Sequence, residues 1–327
     1  MHIKWEECRI GDEKGARILR IYSRDSEAEL PETVENPEGE SLPVLELADY
    51  AFSAMREESK NEDFMGLPPL IGTRAESIVL PKTLKKIGRY AFYNCEELRQ
   101  LAFSTAIRDL GAGLFTGCRK VRDLDVWMDP SQKSCLYEVL SELNQTLRVT
   151  LRDQEGKIQA RLLIPEYFEE SVENTPARIV NLEMHGCGHR YRYCFRKEQM
   201  PFAEYDALFP HVRVQEPPQI VSELAWYRLE YPVHLSEDGR IAYLEYIGTH
   251  PEAAMEAFAN VGDMALMKDT AGDPRIGIDV LEKMIGAAQR TGQSELIPLL
   301  MDIRYGRKRK QEEQNREGHI RKRRFEL

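Results

Sequence analysis

An α+β chain is predicted, in which a short repeat solenoid closed at its start by a β-hairpin leads through a small mixed α/β region into a helical carboxy-terminal region. Three observations predict it. A motif recurs at an offset of 23 residues. Apolar residues ahead of each copy alternate with the period of a strand that has one face buried. After Pro217-Pro218 the chain reads as amphipathic helices separated by Gly and Pro. The boundaries are read as 1–124, 125–216, 217–305 and 306–327.

The repeat is the most informative feature. Ile87-Gly-Arg-Tyr-Ala91-Phe92-Tyr-Asn-Cys95-Glu-Glu-Leu98-Arg-Gln-Leu101 aligns without gaps on Leu110-Gly-Ala-Gly-Leu114-Phe115-Thr-Gly-Cys118-Arg-Lys-Val121-Arg-Asp-Leu124. Leu47-Ala-Asp-Tyr-Ala51-Phe52-Ser-Ala-Met55 is a third copy, 40 residues ahead of the first, and a polar insertion from Arg56 to Glu76 fills the difference. Upstream, Ile78-Val-Leu80 and Leu101-Ala-Phe103 read as strands. Because a single unit of this length cannot bury its own apolar face, neighbouring units are expected to stack and share a core. Phe52, Phe92 and Phe115 then form one ladder, and Met55, Cys95 and Cys118 another.

Over about Glu29 to Leu124 this pattern resembles the BspA-like leucine-rich repeat, whose unit reads as a short strand, a Pro-bearing turn, an Ile-Gly step and an Ala-Phe-x-x-Cys turn of helix. The resemblance implies an α+β chain built on a short leucine-rich-repeat solenoid, and a protein-binding role. Equivalent cysteines in stacked units would lie about 5 Å apart, near enough for a disulfide or a shared metal, although buried free thiols are the simpler expectation. The amino-terminal Ile3-Lys-Trp5 and Ile18-Leu-Arg-Ile21, joined through Gly11 to Gly15, depart from the repeat and read as a hairpin covering the first edge.

Beyond Asp125 the repeat is lost from the sequence. Leu136 to Leu143 reads as a helix, and Thr146 to Arg152 with Lys157 to Ile164 as a hairpin. Arg178 to Met184, Tyr191 to Phe195 and His211 to Val214 read as strands. Helices are expected over Gln219 to Tyr231, Ser236 to Ile247, Pro251 to Asn260, Ile276 to Arg290 and Ser294 to Tyr305, with Pro251 just inside a start. The stretch around Gly292, with an echo around Gly262, is similar to the helix pairs of ankyrin repeats, but the Thr-Pro-Leu-His turn of that family is absent.

Composition narrows the functional classes. A hydrophobic fraction of 42% and a charged fraction of 31% in 327 residues suit a globular chain. No apolar run reaches the roughly 18 residues of a membrane span, and the amino terminus lacks a signal-peptide pattern, so a cytoplasmic protein is expected. Six cysteines without a CxxC pair do not make a disulfide framework. The net charge of −10 is uneven. From Arg304 to Leu327 ten Lys or Arg face four Glu, a net +6, which leaves −16 for the rest.

His185-Gly-Cys187-Gly-His189 with Cys194 is the constellation that most suggests chemistry. On an extended strand, residues two apart face one way, and imidazole with thiolate suits zinc. A Cys187 nucleophile with a His base is the related enzymatic reading. The alternating Gly more simply marks a tight turn. Phosphate-binding, dinucleotide-binding and metalloprotease motifs are absent. Acidic pairs such as Glu169-Glu170 read as solvated surface. The basic runs Arg307 to Lys310 and Arg321 to Arg324 suit phosphates or an anionic surface, or a solvated helical extension.

The expectation is a non-enzymatic protein-protein interaction scaffold of unknown partner, without cofactor or metal. Its alternatives are a nucleic-acid- or anionic-surface-associated factor working through the tail, and a metal-dependent enzyme centred on 185–194. Arg89, Tyr90, Tyr93, Arg99, Arg108 and Arg119 are the candidate protein-binding residues, because Tyr and Arg are frequent at interface hot spots and these positions fall between the core ladders.

Overall fold

The computed structural model describes residues 1–55, 64, 66–129, 133–174, 179–196 and 200–325. Part of the predicted polar insertion (56–63 and 65), Arg178, and the side chains of Arg321 to Arg324 lie outside the described residues. The chain divides into two compact units, Met1–Leu208 and Phe209–Leu327.

In the first unit β1 (His2–Ile10) and β2 (Glu13–Tyr22) form the expected hairpin, turning over Gly11 and Asp12. There follow β3 (Glu27–Glu29), β4 (Thr33–Glu35), β5 (Ser41–Leu47), β6 (Ser77–Val79), β7 (Lys86–Ile87), β8 (Gln100–Ser104), β9 (Asp109–Leu110) and β10 (Asp123–Trp127). Next come α1 (Leu136–Glu142), β11 (Leu147–Arg152), β12 (Ile158–Ile164), β13 (Phe168–Asn174) and β14 (Ile179–His185). The long-strand sheet has the order β12-β11-β10-β8-β6-β3, and the short-strand sheet β1-β2-β5-β7-β9, with β4 on β5.

The 23-residue offset becomes strand register. Ser77, Gln100 and Asp123 pair in sequence, as do Ile78, Leu101 and Leu124, all in parallel. Lys86 and Ile87 pair with Asp109 and Leu110. Inward-facing Ile78, Leu101 and Leu124 from one sheet and Ile18, Leu47 and Ile87 from the other fill the interior, each with at most 2% of its surface exposed. Phe52 stacks on Phe92 at 5.4 Å, and Phe92 on Phe115 at 5.3 Å and 1°. The aromatic ladder therefore forms as expected.

The thiol ladder contains only Cys95 and Cys118. Met55 is 61% exposed, because Gly72 lies against Cys95 and donates its N–H to Phe52 O at 2.8 Å. A side-chain carbon on Gly72 would stand 2.4 Å from Cys95 Cα. The expected turn of helix is also replaced, by hydrogen-bonded turns over 89–94 and 112–117. Tyr90 (φ 54°), Gly113 (φ 66°), Asn94 (φ 54°) and Gly117 (φ 86°) take left-handed backbone at equivalent positions, which a right-handed helix does not admit.

The stack runs on past residue 124 although the consensus does not. Leu124 pairs in parallel with Val149, and β12 then turns back antiparallel on β11. Where the next coil's turn would lie, α1 supplies a side chain. Phe52 N–H donates to Ala91 O and Phe92 N–H to Leu114 O, whereas Phe115 N–H donates to Glu142 Oε2 at 3.0 Å. Tyr205 covers the outer edge of β12: its hydroxyl donates to Leu163 O at 2.7 Å and accepts from Leu163 N at 3.1 Å.

Two predicted strands are helical. Tyr191 to Phe195 lies in α2 (Gly188–Tyr193) and the 3-10 turn Cys194–Arg196. Buried Tyr191, Cys194 and Phe195 are spaced three and four apart, as on one helix face, and this outweighs aromatic strand preference. Following α3 (Phe202–Ala207), His211 to Val214 lies in α4 (Phe209–Gln215), which buries Phe209 and Val212. Arg192 anchors α2. Its buried guanidinium donates to the carbonyls of Leu140, Leu143, Pro165, Gly188 and Gln145 at 2.6 to 3.0 Å, with burial lowering its pKa to about 10.

The second unit continues with α5 (Pro218–Glu230), α6 (Glu237–Thr249), α7 (Pro251–Phe258), α8 (Met264–Gly272), α9 (Ile278–Arg290) and α10 (Leu296–Phe325). Pro218 and Pro251 open their helices, where a missing N–H leaves no helical bond unmade. Ser236 caps α6 by accepting from Gly239 N, and Asp263 caps α8 by accepting from Ala265 N. Helix α5 packs on α6 and α7, α7 on α9, α9 on α10, and α8 on α10. Trp226 is wholly buried, donating Nε1–H to Ala254 O at 2.8 Å with its ring edge-on to Phe258. Helix α10 runs through residue 306 without a break, so the basic tail continues an element of the body. Arg307 Nη2 donates to Ala271 O and Asp273 O at 2.7 and 2.5 Å.

Candidate binding face

The outward face of the short-strand sheet carries one charged residue from each strand, in direct cross-strand register: Glu6, Arg17, Glu46, Lys86 and Asp109. Their signs alternate, and every neighbouring pair is in contact. Arg17 Nη1 lies 3.0 Å from Glu6. Arg17 Nη2 donates to Glu46 Oε2 at 3.1 Å, and its Nε lies 3.0 Å from Glu46 Oε1. Lys86 Nζ lies 3.6 Å from Glu46 and 3.5 Å from Asp109. The Glu46 side chain is only 7% exposed, whereas that of Asp109 is 63% exposed. A desolvated carboxylate is stable when paired and hydrogen-bonded, and the grip of Arg17, one hydrogen bond within a close ion pair, meets that need. The same grip, led by the Glu46 hydrogen bond, raises the Arg17 pKa.

These residues line a groove of about 770 Å³. Its floor is close-packed backbone: a side chain on Gly88 would stand 2.4 Å from Asp49 N, and one on Gly111 2.3 Å from Arg89 N. The Ile-Gly step of the repeat thus lets adjacent coils approach. Asp49, Tyr50 and Arg89 contribute to the rim, and Asp49 Oδ1 accepts from Arg89 N at 2.8 Å. Tyr50 stacks on Tyr90 at 5.3 Å, and Tyr93 meets Tyr90 edge-on at 5.7 Å. Cys8 is half-buried, and its thiol pKa is raised by burial and then by Glu46.

Of the six predicted binding residues, Arg89 lines this groove, Tyr90 stacks on its rim residue Tyr50, and Tyr93 packs on Tyr90. Arg99 instead faces Glu97 and Glu76. Arg108 lines a separate groove with Lys133, Cys135 and Glu138, and Arg119 is exposed beside a third groove that Tyr167 and Glu142 line. The ladder itself escaped sequence reading, yet it had a signal. Glu46, Lys86 and Asp109 each precede the apolar residue of the Ile-Gly step, at equivalent repeat positions and with alternating charge.

The residues at 185–194 do not converge. His185 ends β14, where its Nε2 lies 3.0 Å from Glu170 and its ring stacks on Phe168. Gly186 (φ 80°) then turns the chain, and wholly buried Cys187 precedes α2. The extended strand that would align the three side chains is absent. His189 has its pKa lowered by burial and by Arg190, and Cys194 donates its thiol to Arg190 O. Among the described residues, no group of three or more His, Cys, Asp or Glu is placed to hold a metal ion, and no helix is long and apolar enough to cross a membrane.

Residues 71–158 match the BspA type leucine rich repeat region, in six copies. Two solved structures are similar. One is a leucine rich cell surface protein from Faecalibacterium prausnitzii A2-165, at 18% identity and a TM-score of 0.29, over 43% of this chain and 34% of that one. The other is a leucine-rich repeat protein from Bacteroides capillosus ATCC 29799, at 18% identity and a TM-score of 0.28, over 38% and 87%. The chain spans about a third of the first structure's length. No curated protein matches it in sequence. Over residues 71–158 the chain is therefore supported as a leucine-rich repeat of the BspA type, the repeat whose pattern its stacked coils carry.

Proposed function

We propose that the protein is a non-enzymatic scaffold that binds a partner protein across the outward face of its short-strand sheet. The observation that carries this reading is the groove, lined by an internally paired charge ladder, with Tyr50 and Arg89 on its rim and Tyr90 and Tyr93 stacked behind Tyr50. These charges are already held by one another. Stacked tyrosines offer large, ordered contact area. Arg89 is exposed, with a weak 3.4 Å link to Asp49, and so is available to a partner carboxylate.

The test uses Cys8, the one described cysteine that is not buried. A photo-crosslinker on Cys8 captures partners from a lysate of the native cell, and each captured protein is then purified and titrated against the wild type, Tyr90→Ala and Arg119→Glu. Loss of about tenfold or more in affinity with Tyr90→Ala, and little change with Arg119→Glu, supports the groove. Equal binding by all three proteins contradicts it.

A second reading rests on the unbroken course of α10 through both basic runs. In it, the far end of that helix meets an anionic surface. Nucleic-acid affinity would then fall steeply with salt, with about 0.9 added to the log-log slope per phosphate contact. Arg307 and Lys308 are already engaged within the unit, with the carbonyls of Ala271 and Asp273 and with Glu282, which weakens this reading for the nearer run.

A further inference from the structure

The two thiols of the repeat ladder are placed as a reacting pair. Cys95 and Cys118 occupy equivalent positions of adjacent coils, and each thiol points at the carbonyl of the preceding coil's ladder phenylalanine. Cys118 Sγ lies 2.9 Å from Phe92 O, and Cys95 Sγ 3.8 Å from Phe52 O. The coils are held in step just ahead of the pair. Phe92 N–H donates to Leu114 O at 3.2 Å and Asn94 N–H to Thr116 O at 2.8 Å, while the Phe92 and Phe115 rings stack 5.3 Å apart. Chains in hydrogen-bonded register lie about 4.7 to 4.9 Å apart, within the range of about 4.4 to 6.8 Å between the Cα atoms of disulfide-bonded residues. Gly72 closes the stack on the side of Cys95, so the ladder holds two sulfurs and no third. Cys135 lies outside it, with its thiol on Ser104 O.

We propose that Cys95 and Cys118 are an oxidative cross-link site, closing a disulfide that staples two consecutive coils when the protein meets a disulfide oxidant. A hydrogen bond that the Cys95 thiol gives to Cys118, and then burial, raises the Cys95 pKa well above the usual thiol value. The attacking thiolate therefore comes from the better exposed side. Cys118 borders an open groove that Arg119 and Gln145 also line. Its thiolate attacks a small-molecule disulfide RSSR, which forms a Cys118–SR mixed disulfide and releases RS⁻. The Cys95 thiolate then attacks the Cys118 sulfur and expels the second RS⁻. Two cysteine thiols are oxidised, one RSSR is reduced to two RSH, and the two protons go to the released thiolates. Because both sulfurs are buried, exchange is slow in the folded protein and fast during refolding.

Full-length protein is refolded with oxidised glutathione, alkylated with iodoacetamide and digested with trypsin, with Cys8 as an internal control for glutathione attack. The expected product is peptide 90–99 disulfide-linked to peptide 109–119. The melting temperature of the first unit should rise by about 5 to 10 °C, lost on adding dithiothreitol, because the closed loop of about two dozen residues constrains the unfolded chain. With Cys95→Ser, Cys118 should stop at the glutathione adduct. Alkylation of both Cys95 and Cys118 in a sample whose Cys8 is fully glutathionylated would overturn the proposal. So would a different cysteine pair linked in their place.

Discussion

Replacing Phe92 by Ala tests the solenoid at its most connected side chain. Phe92 has no exposed surface, and its ring stacks on Phe52 at 5.4 Å and on Phe115 at 5.3 Å. Removing a buried Phe side chain costs about 3 to 5 kcal/mol, and each ring pair is worth about 0.5 to 1.5 kcal/mol beyond its buried area. Because Phe92 sits between two rings, the cost should fall at the top of that range, about 5 kcal/mol. That is a large part of the stability of an ordinary domain, about 5 to 15 kcal/mol. Urea titration followed through Trp5 and Trp127 reports on the first unit, and Trp226 on the second. The midpoint should drop for Trp5 and Trp127. A loss below 1 kcal/mol would refute the shared aromatic core.

Arg192→Met strands five backbone carbonyls, so it should destabilise the first unit by about 3 to 5 kcal/mol, or prevent folding, in the same urea assay. Deleting Gly306 to Leu327 should cost the second unit about 1 to 2 kcal/mol, because Arg307 bonds the end of α8 at Ala271 and Asp273, whereas deletion from residue 315 onward should leave the melting temperature within a degree or two. His189 has its pKa lowered on folding, so the unfolded chain binds its proton more readily; stability should fall as pH drops through about 6.5, and His189→Gln should lessen that slope in melts between pH 7.5 and 5.5.

Much of the solenoid was legible because its period survives in unlike residues. The Ile-Gly step, Ala-Phe and Cys recur together at 23 residues, and the same offset reappears as the pairing of Ile78 with Leu101 and of Leu101 with Leu124. Past Leu124 the stack continues by geometry alone. Val149 needs only an apolar inward residue to pair with Leu124, and Glu142 needs only a carboxylate to replace the missing carbonyl at Phe115. Neither demand leaves a motif. Tyr191 to Phe195 misled because aromatic content suggests strands, while the deciding information was three-and-four spacing against a core that local sequence does not contain. The candidate face was half visible. Tyr90, Tyr93 and Arg89 show in the sequence by residue type, but the ladder joins Glu6 and Arg17 to Glu46 across chain separations of 40 and 29 residues, which only the fold connects.

We propose that the outward face of the short-strand sheet binds protein. Its most direct test is a competition at Cys8: with a partner captured through the photo-crosslinker, unmodified wild-type protein, Arg89→Glu and Arg119→Glu are each added as competitor and the crosslinked yield is measured. Wild type and Arg119→Glu should suppress the crosslink alike, while Arg89→Glu should need about tenfold more protein to do so. Equal suppression by Arg89→Glu, or stronger loss with Arg119→Glu, would place the binding surface elsewhere on the molecule.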